Sequence, residues 1–277
     1  MRKVSSKNLI GISGHKSVLC KAFVNKFKKK YVYTFYKGRI ENKNKFNNWL
    51  IRNNKINYFI NFAAITSVSE CEKNKKKAMN INYKANVTII NCLNQSILKN
   101  FNYFLYISSS HVYKPSFKFL HEKSQRIPSN YYGLTKKKFE DYIEKFKTKF
   151  NFNIGIARIF NFYSPKKIKG FFINDIILKS RKSKKLTLGS INTCRDYIDI
   201  DDIVKALDLM ISKKLSSSFN ICSGIKYNLL HIVQKITKSK KIYLEYEKNY
   251  KKGIFGNNRK IIQHGWKISG KKLYDLI

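Results

Sequence analysis

Short apolar runs recur along the first part of the chain, at Lys7–Ile12, Tyr31–Phe35, Ile56–Phe62, Phe101–Ile107 and Asn153–Ile159. Each has the length and the β-branched or aromatic content of a strand. Between them, apolar residues return at helical spacing. A short helix is predicted over Lys45–Asn53 and a long one over roughly Lys75–Leu98. On the long one Ala78, Ile81, Ala85, Ile89 and Cys92 line one side, while Met79, Tyr83 and Ile90 lie on another. One side would cover a sheet and the second could pack on another subunit. Strand and helix in alternation predict an α/β fold, a Rossmann-like doubly wound parallel sheet. After Pro165 the alternation weakens. Helices are expected over Phe172–Arg181, Ile203–Ile211 (capped by Asp201 or Asp202) and Leu229–Thr237. Strands are expected near Leu186–Leu188, Ser218–Cys222 and Lys241–Tyr246.

The first strand runs into Gly11-Ile12-Ser13-Gly14-His15-Lys16-Ser17 and then a helix. Glycines there let helix-start N–H groups approach a pyrophosphate, and the helix dipole favours its charge. This spacing predicts a dinucleotide-binding domain over residues 1–160. A smaller C-terminal substrate-binding lobe would fill 161–277, with 191–222 expected to return to the first domain. The second strand ends in Tyr36-Lys37-Gly38-Arg39, without the acid that would bind a ribose 2′-hydroxyl. Lys37 and Arg39 suit a 2′-phosphate instead, so the expected coenzyme is NADP, with NAD the alternative. Ala63-Ala64 closes the third strand with residues small enough for a flat cofactor to lie against the backbone.

Asn130-Tyr131-Tyr132-Gly133-Leu134-Thr135-Lys136 follows Pro128-Ser129, which read as a helix start capped by Ser129. Tyr132 and Lys136 are four apart and share a face. A cation beside a tyrosine favours its phenolate, bringing a weak acid towards working pH. Ser108-Ser109-Ser110-His111 ends the fourth strand, where doubly wound folds bind ligands. The serines fit a solvated turn equally well, and His111 reads as a loop histidine that could titrate near neutrality.

The formal net charge of +41 points at first to nucleic acid. However, the lysines are spread over the whole chain together with abundant Asn, Ile, Tyr and Phe, as an AT-rich coding sequence would produce. No dedicated nucleic-acid partner is expected. Cys20, Cys71, Cys92, Cys194 and Cys222 are scattered, without a C-x-x-C pair. Small buried hydrophobes in a reducing compartment fit them best. No membrane-length apolar run and no secretory leader is visible, so the expected location is the cytoplasm.

Collected in order, these motifs resemble the extended short-chain dehydrogenase/reductases, the NAD-dependent epimerase/dehydratase family acting on nucleotide sugars. The resemblance also covers Asn82-Tyr83-Lys84-Ala85-Asn86, Val112-Tyr113, Arg158-Ile159-Phe160-Asn161, Arg195-Asp196-Tyr197-Ile198-Asp199-Ile200-Asp201-Asp202, Phe219-Asn220-Ile221-Cys222-Ser223-Gly224 and Gly265-Trp266. Ser17 stands for a glycine, and so does Lys114. The back half most resembles GDP-4-dehydro-6-deoxymannose reductases. What this implies is an NAD(P)-dependent enzyme that reduces a 4-keto-6-deoxyhexose nucleotide. The alternative is a nucleotide-sugar 4-epimerase, similar to UDP-glucose 4-epimerases, with bound NAD; a remote one is a non-catalytic RNA-binding scaffold.

By resemblance Ser109, Tyr132 and Lys136 are catalytic. Gly11, Ser13, Gly14, His15, Lys37, Arg39, Ala63, Ala64 and Asn82 join Tyr132 and Lys136 around the coenzyme. Ser109, Ser110, Asn161 and Arg195 bind the nucleotide sugar, and no metal is expected. Sugar 4,6-dehydratases of the family carry Asp-Glu where Ser110 and His111 stand, so that activity is not expected. A homodimer is expected through the 75–98 helix and a Phe139/Ile143/Phe146 stripe.

Overall fold

The computed structural model describes residues 7–96, 98, 100–164, 172–238 and 242–276. Its centre is a six-stranded parallel sheet. In chain order the strands are β1 (Leu9–Ser13), β2 (Val32–Tyr36), β3 (Tyr58–Asn61), β4 (Tyr103–Ser109), β5 (Asn153–Ile159) and β10 (Ser218–Ile221). In space they run β10-β5-β4-β3-β1-β2. β4 shows why the strands read as unbroken apolar runs. Tyr103, Leu105 and Ile107 enter one core, and Phe104 and Tyr106 enter the other. Both faces are covered, so alternation between polar and apolar residues has no role.

Over the first face lie α1 (Val18–Phe27) and α8 (Ile200–Ser212). Over the second lie α2 (Lys43–Arg52), α5 (Ala85–Gln95) and α6 (Tyr131–Phe146). The helix expected over Lys75–Leu98 is divided: α4 (Lys75–Met79) passes through a π-helical turn at Asn80–Lys84 into α5, and α3 (Val68–Lys73) precedes it. The extra residue of a π turn lets Asn82 and Asn86 both point inward, and both are fully buried. Ile90 is buried in the chain's own core, as are Phe139 and Ile143 of the expected dimer stripe. Met79, Tyr83 and Phe146 stay half-exposed.

A smaller lobe follows β6 (Asn161–Tyr163); the break expected at Pro165 lies outside the described residues. The lobe contains α7 (Phe172–Lys179), β7 (Lys185–Leu188), β8 (Thr193–Arg195), β9 (Tyr197–Asp199), β11 (Tyr227–Asn228), α9 (Leu229–Lys238), β12 (Tyr243–Tyr246) and β13 (Lys251–Ile254), whereas α10 (Arg259–Gln263) buries Ile261 in the core of the large sheet. β11 and β13 flank β8, β12 pairs with β7, and β9 pairs with β6. Ile191 packs in the lobe's cluster, whereas Ile198 and the α8 residues pack under the large sheet. β8 is held between β11 and β13. Asp199, rather than Asp201 or Asp202, caps α8 by accepting from the Asp201 N–H at 2.7 Å.

Asp196 joins the two parts. Its carboxylate accepts from Ser223 N and Oγ and from Gly224 N, at 2.7–3.0 Å. Burial pushes its pKa up to about 7 while those donors pull it down.

Candidate active site

The sheet's chain order reverses at β1, which has β2 on one side and β3 on the other. In such folds ligands bind beyond the carboxyl ends of the strands at that crevice. Gly14 closes β1 with φ +76°, and a Cβ there would stand 2.4 Å from the Ala63 nitrogen just beyond β3. Gly14 is therefore the glycine of the turn. Gly11, expected in the turn, lies within β1. A Cβ on it would meet Phe59 at 2.9 Å and Trp49 at 3.0 Å, so its smallness serves aromatic packing. The phosphate-turn pattern thus shifts by three residues, to Gly14, Ser17 and Cys20. Ser17 caps α1 with its hydroxyl on Cys20 N (3.1 Å), and Cys20 fills the helix–sheet contact.

Behind the turn, a buried polar chain steadies the strand ends. The Ser13 hydroxyl donates to Asn61 Oδ1, and Asn61 Nδ2 donates to Asn86 Oδ1 at 2.6 Å. The Asn82 amide is fully engaged: it accepts from Ile65 N, and donates to Ile65 O (both 2.9 Å) and to Thr135 Oγ1 (3.2 Å). Asn82, expected to touch a coenzyme, fixes the backbone after Ala63-Ala64 through its bonds with Ile65. Its position follows from the π turn, which no local pattern announces. His15 is half-buried with its ring edge-on to Phe35, and Lys37 and Arg39 are exposed at the end of β2.

Beyond β4 the structure unites Ser109, Tyr132 and Lys136. The expected cap Ser129 gives way to Asn130, whose Oδ1 accepts from Gly133 N at 2.9 Å. A Cβ on Gly133 would lie 2.1 Å from the His111 carbonyl oxygen, so the helix start is pressed directly against the segment after β4. The three serines do not form a solvated turn; Ser108, Ser109 and Ser110 are all buried. Lys136 Nζ donates to Ile107 O at 2.8 Å and lies 5.9 Å from the Tyr132 ring centre.

The lysine does not bring the tyrosine towards neutrality in this state. Burial pushes Tyr132 up to about 12, with the Ser109 hydroxyl pulling the other way. Burial lowers Lys136 to about 8, opposed by Cys71 and Glu140. The expected neutral-range titration of His111 is likewise absent. Burial first, then the charge of Arg195, lower it to about 4.

Glu140, one turn beyond Lys136, was not singled out by its sequence position. Its carboxylate accepts from Arg158 Nε (3.1 Å) and Nη2 (2.7 Å), from Arg126 Nη1 (3.1 Å) and from Ser108 Oγ. Arg158 also donates to Tyr113 OH at 2.8 Å, which in turn donates to Asn220 of β10 at 2.6 Å. One buried network thus ties α6 to β4, β5 and β10.

Asn161 begins β6 and Arg195 ends β8. Asn161 donates to Asp196 O at 3.2 Å. Arg195 donates to Thr193 Oγ1 and Cys194 O, both at 3.0 Å, and is paired with no carboxylate among the described residues. Burial lowers its pKa. A half-buried guanidinium without a counter-ion is suited to an anionic ligand group.

Two open hollows of about 800 and 700 Å³, lined by Lys73–Lys77 with Lys84 and by α9 residues such as Lys235, lie elsewhere. They hold none of the groups expected to be catalytic. Ser109, Tyr132 and Lys136 stand instead at the carboxyl end of β4. Among the described residues there is no cluster of metal-ligating side chains, and no helix is long and apolar enough to cross a membrane.

Residues 12–222 match the model of the NAD dependent epimerase/dehydratase family. A dTDP-D-glucose 4,6-dehydratase from Dictyostelium discoideum is 27% identical over 219 residues, 74% of this chain and 49% of that protein. A GDP-6-deoxy-D-mannose reductase from Pseudomonas aeruginosa is 24% identical over 196 residues, 67% of this chain and 64% of its own length. The chain thus spans about half the length of the first of these relatives and under two thirds of the second. The structure of RMD from Pseudomonas aeruginosa complexed with NADPH superposes with a TM-score of 0.79 at 19% identity, covering 95% of this chain and 94% of that one.

Proposed function

Since the chain belongs to the NAD dependent epimerase/dehydratase family, we propose that it is an NADPH-dependent reductase of a 4-keto-6-deoxyhexose nucleotide. One observation carries the reading. Neighbouring strand ends present, in spatial order, Lys37/Arg39 after β2, Gly14 after β1, Ala63 after β3 and Ser109 with Tyr132 and Lys136 at β4. Three strand spacings span roughly 15 Å. Residues far apart in sequence thus form a row with a cationic end for a phosphorylated ribose, a close-approach turn for a pyrophosphate and an acid–base group at the other end. The coenzyme fits this row, and when bound it supplies hydride. Ser17 takes one helix-start N–H, that of Cys20, away from the pyrophosphate.

Of the chain's own groups, Tyr132 gives its proton to the carbonyl oxygen, Ser109 hydrogen-bonds that oxygen, and the Lys136 ammonium holds the tyrosine side of the cleft positive. Arg195, with Asn161, takes the diphosphate. Reduction and epimerisation ask opposite things of Tyr132. A phenol is the form that protonates a ketone, whereas epimerisation begins by removing a proton from a sugar hydroxyl. Turnover of a GDP-linked 4-keto-6-deoxyhexose with NADPH, and no keto product from GDP-mannose, is the expected result. Interconversion of UDP-glucose and UDP-galactose with retained NAD would instead establish the epimerase. Five free, buried cysteines support a reducing, cytoplasmic setting.

Coenzyme choice can be read at β2. Lys37→Ala/Arg39→Ala is expected to weaken NADPH use about tenfold or more, as for a lost charge-assisted bond, while NADH use barely changes. Equal losses for both coenzymes would mean the two residues only support the loop. A homodimer is proposed on the half-exposed Met79, Tyr83 and Phe146; a monomeric mass by light scattering at micromolar concentration would remove it.

A further inference from the structure

His111 is placed to do more than fill a loop. Its ring stands edge-on to Tyr132, with centres 5.6 Å apart, and feels the charge of Arg195. Which ring nitrogen carries the proton follows from the bonds around it. Asn130 Oδ1 is committed to Gly133 N, so the amide turns its Nδ2, a donor, to His111 Nδ1 at 2.8 Å. Nδ1 must therefore be the acceptor, and the neutral ring carries its proton on Nε2. Protonating Nδ1 would set two donors against each other beside a guanidinium, consistent with the lowered pKa. Nε2–H has no partner among the described residues. The backbone that carries the ring is fixed, because the Gly133 backbone abuts the His111 carbonyl and Ser109 Oγ accepts from His111 N at 3.2 Å.

We propose that His111 is a neutral hydrogen-bond donor that reads a sugar oxygen adjacent to the carbon attacked in the cleft, with Asn130 the positioning residue that selects its tautomer. The inference rests on the nucleotide-sugar reading of the site and deepens it. A carboxylate at this place could remove a proton. A neutral imidazole held in this way can only donate, so it recognises a hydroxyl or carbonyl oxygen without transferring a proton. Because Asn130 also caps the helix bearing Tyr132, one amide aligns both the proton donor and the reader.

Nitrogen-15 spectra of histidine-labelled protein, assigned with His111→Phe, should show the Nε2–H tautomer of His111 unchanged from pH 6 to 8. Asn130→Asp keeps a helix cap but replaces the donor by an acceptor. It should switch His111 to a ring protonated at Nδ1. An Nδ1–H or cationic ring in the parent protein would overturn the proposal. In calorimetry with NADP present, His111→Phe should lose about tenfold in affinity for GDP-mannose and none for GDP, the loss expected for one hydrogen bond. Equal losses for both ligands, or none, would also overturn it. These readouts need no turnover. Parent protein that fails to reduce any keto sugar would defeat the reductase reading, while the tautomer and the sugar-dependent affinity would still judge His111.

Discussion

Replacing Tyr132 with phenylalanine should lower kcat/KM for keto-sugar reduction by about a thousandfold, within the range of a lost general acid. The ring fills the same space against Ile65, Cys71 and Ala78, so thermal stability and NADPH binding should change little. What the variant loses is the hydroxyl beside Ser109 and, on the proposed reading, the proton it delivers. The pH profile adds a second signature. The Lys136 ammonium, at about 8, is present below that pH and lost above it, so reduction should decline as pH rises through 8. Tyr132 itself stays protonated throughout. Single-turnover NADPH oxidation would check both, and a Tyr132→Phe rate within threefold of the parent would sink the assignment.

The second large effect is on stability. Glu140→Ala leaves Arg158, only 4% exposed, buried without its carboxylate, at a cost of about 3–5 kcal/mol. For a chain of this size that is a fall in Tm of roughly 10 °C. Glu144→Ala makes the comparison, because Glu144 meets Arg126 at 2.8 Å on an exposed surface, where such pairs contribute about 0–1 kcal/mol. Equal melting temperatures for the two variants would refute the role given to Glu140. Glu140→Gln should in addition move the alkaline decline in rate to lower pH, since the Glu140 charge raises Lys136.

The strands were legible because burial on both faces writes itself as unbroken apolar runs, and the grouping of Ser109, Tyr132 and Lys136 because strand ends and helix spacing are local. Other features had no local signature. A glycine under Trp49 and Phe59 looks, in sequence, like a glycine in a turn, so Gly11 was placed in a role that belongs to Gly14. The apolar stripe of α6 was expected at a partner subunit, whereas the chain's own sheet takes Phe139 and Ile143. The Glu140–Arg158 pair joins residues 18 apart, and Asn130–His111 joins residues 19 apart. Such contacts depend on how β4, β5 and α6 are stacked, which periodicity does not encode.

The place of β10 bears on how the molecule is made. It pairs along β5 from Ile156 to Ile159 and supplies Asn220 to the buried Arg158–Tyr113 network, yet it is synthesised after much of the lobe. During translation the nascent sheet would present β5 as an open apolar edge, with Arg158 lacking part of its hydrogen-bonding shell. Open edges of this kind recruit other chains, and such long-range pairing is slow to close. The catalytic half is therefore expected to depend on its own distal segment for solubility. A chain halted before Ser218 should be held by chaperones or aggregate, even though every residue of the Ser109–Tyr132–Lys136 trio has already been made.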